Sequence, residues 1–127
     1  MVASIFAVVI GGSLGCLIRW ALVAGLNTMF PALPPGTLVA NLIGGYLIGV
    51  SIAYFSAHPD WAPHWRLLAM TGFLGGLTTF SAFSGEVAML LQQGNLAWAC
   101  VMICSHVFGS LVLTLTGMAT VRVLSGA

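Results

Sequence analysis

Lysine is missing altogether from the 127 residues, and charge of either sign is scarce. Three arginines (Arg19, Arg66, Arg122) and two acids (Asp60, Glu86) make up the whole 4% charged share. A soluble domain carries about 25% charged residues. So few charges exclude a water-facing surface for a fold of this size. The net charge of +1 leaves no basic field for nucleic acid and no cluster for anionic lipid. Cysteine numbers three (Cys16, Cys100, Cys104), all in apolar runs. An odd set of this kind excludes a disulfide framework, and the thiols are read as small apolar packing. Cys100 and Cys104 share a helix face with His106 near, but no third thiol or second histidine joins them, so no soft-metal site is assigned. The acids are one in a loop, Asp60, and one in an apolar segment, Glu86. No Ser-His-Asp arrangement can form around them, so no catalytic residues are assigned and no enzyme is expected.

What is present is apolar length: 60% of the residues are hydrophobic. A spanning helix needs about 20 consecutive apolar residues. Four segments qualify, residues 2–24, 37–55, 65–91 and 96–123. The expectation is one all-α membrane domain over residues 1–127 with four transmembrane helices. Residues 1–20 lack a basic start, so they are read as a retained helix and not as a cleaved leader. Gly11, Gly12 and Gly15 form a small-residue face for helix packing. Pro34-Pro35-Gly36-Thr37 punctuates the start of the second helix. Asn41 is that helix's strongly polar residue, and in lipid its amide must face protein or a watery cavity. The loop 56–64 holds His58 and His64, read as solvated surface. On the fourth helix His106, Ser110 and Thr114 recur at i, i+4 and i+8, one polar stripe that lines a path or holds a neighbour.

The third segment is the anomaly. As one straight helix at about 1.5 Å per residue, residues 65–91 would reach roughly 40 Å. The hydrocarbon core is about 30 Å thick. The stretch 72–86 reads G-F-L-G-G-L-T-T-F-S-A-F-S-G-E. Gly75-Gly76 is expected to break the helix at mid-membrane. Unwinding over residues 75–79 would free carbonyls for a hard cation and amides that favour an anion. Phe80 and Phe83 fall on one face, and ring edges carry weak positive charge. Weak attraction suits a channel, because an ion must leave as readily as it enters. Ser81, Ser84 and Thr114 offer hydroxyls along the same path. Glu86 is an intramembrane acid, either functional, or a structural acceptor, or a donor when protonated. Four spans put Arg66 and Arg122 on one side and Arg19 on the other, a weak bias compatible with insertion both ways.

The run G-G-L-T-T-F-S-A-F-S-G-E resembles the signature of the Fluc (CrcB) fluoride channel family. So do G-G-S-L-G-C-L-I-R-W around Arg19 and P-P-G-T-L-V-A-N-L-I-G-G around Asn41. The likeness covers nearly the whole chain, and the central run is its specific part. It implies an antiparallel, dual-topology homodimer in the cell (inner or plasma) membrane, with the lipid bilayer and fluoride as further partners. It implies two fluoride pathways and a structural sodium ion at the dimer interface, held by the carbonyls of Gly75 and Thr78. It implies an ion pathway along Asn41, Phe80, Ser81, Phe83, Ser84, His106, Ser110, Thr114 and Glu86, with Arg19 in a vestibule. The implied role is passive export of fluoride, which lowers its toxicity in the cytoplasm. Ala82 departs from the pattern, standing where the family commonly has threonine.

Two other classes compete. A small dual-topology, proton-coupled multidrug exporter would use Glu86 for proton exchange, and would want that acid facing a roomy aromatic cavity. A noncatalytic membrane subunit would leave Asn41, the polar stripe and the broken segment without purpose.

Overall fold

A computed structural model describes residues 1–126. Ala127, inside the expected domain, lies outside the described residues. The described chain consists of helices joined by short non-helical stretches. Helix α1 is Val2–Leu26, α2 is Pro35–Ala57 and α6 is Leu96–Ser125. The third segment comes in pieces: α3 (Pro63–Arg66), a π-helical stretch (Leu67–Leu74), α4 (Gly75–Leu77) and α5 (Phe80–Gln92). Four stretches are long and apolar enough to cross a membrane: Val2–Met29, Pro35–Ala57, Pro63–Gln92 and Leu96–Ser125. Prolines open the second and third of them, where a missing N–H leaves no bond unmade. Gly126 ends α6 in the left-handed conformation, with φ 69°.

Small residues decide how the helices meet. Lipid gives apolar side chains no reason to hide, so close backbone approach has to hold the bundle. Helix α1 lies against the third segment. A Cβ at Gly76 would stand 2.5 Å from the Gly12 carbonyl and 3.0 Å from the Cys16 amide. Helix α2 lies against α6, where a Cβ at Gly45 would stand 3.0 Å from the Ser110 carbonyl. Ala40, Leu74 and Leu77 are buried together where α2 meets the third segment. Phe83, Leu90, Ala99 and Met102 form a second cluster between α5 and α6. The bulky residues point outward instead: Phe6, Leu17, Phe108 and Leu115 are all exposed.

Two expectations need correction. Gly75-Gly76 does not break the helix, because both glycines remain helical in α4. The chain leaves the helix just after them. Thr78 is extended at φ −84°, ψ 155°, and Thr79 at φ −150°, ψ 113°. Gly76 serves close approach to α1, while β-branched threonines suit the extended backbone. The three cysteines are not buried packing either, since each is exposed on this chain. The loop histidine His58 is exposed, with its ring stacked on Tyr54 at 4.4 Å. Among the described residues no three His, Cys, Asp or Glu side chains gather at a metal-holding distance.

Candidate functional site

The break is held by side chains from two other helices. Asn41 on α2 accepts the Thr79 N–H at 2.7 Å and donates its Nδ2 to the Thr79 carbonyl at 3.0 Å. Its amide thus pairs with one residue's backbone as a neighbouring strand would. The Thr79 hydroxyl accepts the Ala82 N–H at 3.1 Å and caps α5. From α1, Arg19 donates Nε to the Gly76 carbonyl at 2.9 Å.

These bonds redistribute the backbone groups. In an unbroken helix the Thr79 N–H would serve the Gly75 carbonyl, and the Ala82 N–H the Thr78 carbonyl. Both amides go elsewhere, to Asn41 and to the Thr79 hydroxyl. The Gly75 and Thr78 carbonyls are left without their regular donors. Gly75 is exposed and Thr78 half-buried. Freed carbonyls of unwound backbone suit a hard cation. One chain offers two, and such a cation collects several oxygens.

Beside the break lies a cavity of about 440 Å³. Helix α2 supplies Asn41, Gly44, Gly45 and Ile48 to its wall, and the third segment supplies Gly75, Thr78, Phe80 and Phe83. Helix α6 supplies the expected polar stripe, His106, Ser110 and Thr114. The Phe80 and Phe83 rings meet edge to face at 5.6 Å. Phe83 is buried at 8% exposure, while Phe80 stands out at 78%. The His106 ring lies across Phe83 at 4.5 Å. The Thr114 hydroxyl is engaged with the Gly45 carbonyl at 2.8 Å and the Ser110 carbonyl at 2.9 Å.

Four of the expected site residues do not line this cavity: Arg19, Ser81, Ser84 and Glu86. Arg19 is the partner of the Gly76 carbonyl. Ser81 Oγ lies 3.3 Å from the Thr79 hydroxyl, and both Ser81 and Ser84 are exposed. Glu86 accepts a short 2.6 Å bond from the Thr37 hydroxyl, and its Oε2 is buried without a partner. Thr37 in turn is tied to Asn27, whose Oδ1 accepts the Thr37 N–H at 3.1 Å. Sequence reasoning missed Thr37 and Asn27, which stand 10 residues apart across a loop. It also missed Thr79 as the pivot of the break. The signal there was a threonine directly ahead of an apolar helical run, an N-cap position.

The family described as CrcB-like protein, Camphor Resistance (CrcB), matches residues 6–118. The chain belongs to the CrcB family. The CrcB match takes in the break, the cavity wall and the Thr37–Glu86 pair. A protein of Tolumonas auensis is 59% identical over 124 residues, covering 98% of both chains. One of Pseudomonas putida is 55% identical over 126 residues, covering 99% of both. One of Escherichia coli is 51% identical over 124 residues, covering 98% of both. All three are named fluoride-specific ion channel FluC. With its four membrane-crossing helices, this CrcB chain is a multi-pass protein of the cell membrane.

Proposed function

We propose that the protein is a fluoride-selective channel which lets fluoride leave the cell passively, without catalysis. Fluoride is named because the full-length relatives carry that name. The observation that carries the channel reading is the cavity wall. It combines aromatic rings and polar groups and holds no charged side chain. Such a wall attracts a small anion weakly and does not trap it. Thr79 caps α5 through the Ala82 N–H alone, and the start of that helix adds partial positive charge beside the rings.

The working unit in this reading is an antiparallel homodimer with dual topology. Phe80 is an exposed apolar ring of the cavity wall, and Gly75 of the same wall is also exposed. A second copy covering this face would bring its own pair of freed carbonyls. The Gly75 and Thr78 carbonyls of both copies then hold a structural sodium ion, which ties the two breaks together by charge. The break lies at mid-membrane. Ser81 and Ser84, exposed on one chain, face the pathway in the dimer. Arg19 contributes positive charge to a vestibule while it holds the Gly76 carbonyl. Glu86 acts as an acceptor for Thr37 near one end of the path. The exporter reading loses its support, since Glu86 sits on Thr37 away from the cavity wall.

The deciding experiment loads purified protein into liposomes with fluoride inside and follows efflux with an ion-selective electrode. Fluoride should leave down its gradient with no proton gradient applied, and chloride should stay. Equal efflux of both ions, or a requirement for a proton gradient, would end this reading.

A further inference from the structure

One end of the molecule carries an ordered aromatic cluster that the ion path does not use. It joins the second span, Pro35–Ala57, to the third, Pro63–Gln92, and so stands where hydrocarbon gives way to water. The Trp61 ring meets Tyr54 edge to face at 5.8 Å, Phe55 at 6.1 Å and Trp65 at 6.1 Å. Phe55 is buried, but Trp61 and Trp65 are 45% and 47% exposed. Such rings favour the boundary layer of a bilayer, which is apolar on one side and wet on the other.

Arg66 belongs to this cluster. The last carbonyls of a helix find no donor within it, and the residue placed to serve the Phe55 carbonyl is Pro59, which has no N–H. Arg66 fills the gap. Its Nη2 donates to the Phe55 carbonyl at 2.8 Å, and its guanidinium lies 5.6 Å from the centre of the Phe55 ring. One N–H is engaged in this way, and the rest of the guanidinium fork is left for a ligand. The residue is exposed, and among the described residues no carboxylate pairs with it, Asp60 of the same loop included. A fixed, unneutralised guanidinium at headgroup level matches the paired oxygens of a phosphate.

We infer that this cluster is a membrane anchor: Arg66 binds the phosphodiester of a bilayer phospholipid, Trp61 and Trp65 lie in the headgroup layer, and the contact sets the depth of the break. Depth follows from chain length. At about 1.5 Å per residue the third segment climbs roughly 18 Å from Arg66 to Thr78. Half a bilayer is about 15 Å of hydrocarbon, and about 20 Å with its headgroups. An anchor at Arg66 therefore holds Thr78 and Thr79 near the midplane. The purpose of that depth rests on the channel reading, in which two antiparallel copies bring their breaks together. Breaks related by a two-fold axis in the membrane meet only where both lie at the midplane. The phosphate is common to phospholipids, so the anchor selects no particular headgroup.

The test reads contact and depth separately. For contact, the full chain is placed in phospholipid bilayers with its arginine guanidinium carbons labelled by 13C, and solid-state NMR measures their dephasing by lipid 31P. Arg66 is recognised by transfer from labelled phenylalanine rings, since it lies over Phe55, and its signal is missing from Arg66→Gln. It should dephase as at direct contact, and inorganic phosphate added to the protein in phosphate-free detergent should not reproduce this. An undephased Arg66 in bilayers would overturn the inference, as would equal dephasing by free phosphate. For depth, a nitroxide is attached at Leu111→Cys after the three native cysteines are replaced by serine. Leu111 is exposed on α6 next to Ser110, which packs on Gly45, while Gly44 packs on Thr78, so the label reports the level of the break. It should collide with oxygen and hardly at all with a water-soluble nickel chelate, as at the bilayer centre. Arg66→Gln combined with Trp61→Ala and Trp65→Ala should move it off centre, and an unmoved label would show that the cluster does not set depth. A label off centre in the unmodified chain would show the same, and decides if the triple variant does not fold. Neither measurement uses ion flux. Contact and depth as expected without liposome efflux would sink the channel and spare the anchor, and intact efflux without them would do the reverse.

Discussion

Thr37 and Glu86 show how one hydroxyl fixes a half-buried acid. Thr37 is 1% exposed, and its hydroxyl is the partner found for Glu86 Oε1, at 2.6 Å. Bonds to a charged acceptor contribute about 1.5–3 kcal/mol, and an orphaned buried group costs a similar amount. Thr37→Val keeps the shape and removes the donor. It should lower stability by about 1–3 kcal/mol, read as a lower thermal midpoint in detergent. Glu86→Gln still offers an oxygen to Thr37 and should change the midpoint much less. A loss in Glu86→Gln with none in Thr37→Val would mean that the charge, and not the hydroxyl bond, holds the site. None of this was legible in the sequence, because the pair is separated by 49 residues. Sequence reasoning marks an intramembrane acid as important, but a lone glutamate does not disclose its donor. Arg19 is a similar case. Its motif was readable, while its bond to a carbonyl 57 residues away was not.

At the scale of elements, apolar length was the readable signal and backbone geometry the unreadable one. Four runs of about 20 apolar residues fit a bilayer and little else, and four helical stretches long and apolar enough to cross one are found. The third of them stands out for its glycines and threonines, and the break was assigned to the glycines, whereas the threonines carry it. Glycine weakens a helix in isolation. Here the neighbouring α1 needs the bare backbone of Gly76, and that packing keeps it helical. The extended Thr79 is the residue whose freed N–H and carbonyl find a partner, in Asn41. No residue pattern announced the π-helical stretch Leu67–Leu74 either. The packing argument makes its own prediction. Gly76→Ala places a methyl 2.5 Å from the Gly12 carbonyl, backbone that cannot step aside. Overpacking of this kind costs about 1–3 kcal/mol. A methyl added at Gly25, near the end of α1, would meet nothing within 4 Å. Gly25→Ala should hold or raise the thermal midpoint by its better helix propensity, while Gly76→Ala should lower it. A Gly76→Ala midpoint equal to that of Gly25→Ala would show that α1 and the third segment are not closely packed.

For the whole molecule, the distribution of charge and the uncovered face lead to the same test. Arg66 and Arg122 fall at one end of the four-span topology and Arg19 toward the other, and no lysine tips the balance. The positive-inside rule acts on such differences, and two against one is close to none. A chain inserted both ways in equal amounts can pair antiparallel with itself. The face to be covered carries Phe80 at 78% exposure and the exposed Gly75 of the same cavity wall. The purified protein should therefore run in light scattering at twice the chain's 13.2 kDa, after the detergent is subtracted. Topology needs a separate reading, because a parallel dimer would have the same mass. Cys16, Cys100 and Cys104 are free thiols exposed on this chain, so all three are first replaced by serine. Asp60→Cys then places one thiol in the exposed loop between α2 and α3. A membrane-impermeant maleimide applied to intact cells should label half of the molecules, and lysis should release the other half. Complete labelling, or none before lysis, would mean a single orientation, and a two-fold antiparallel pair could not form. The pathway would then have to be built from parallel copies, whose Gly75 and Thr78 carbonyls approach from the same side.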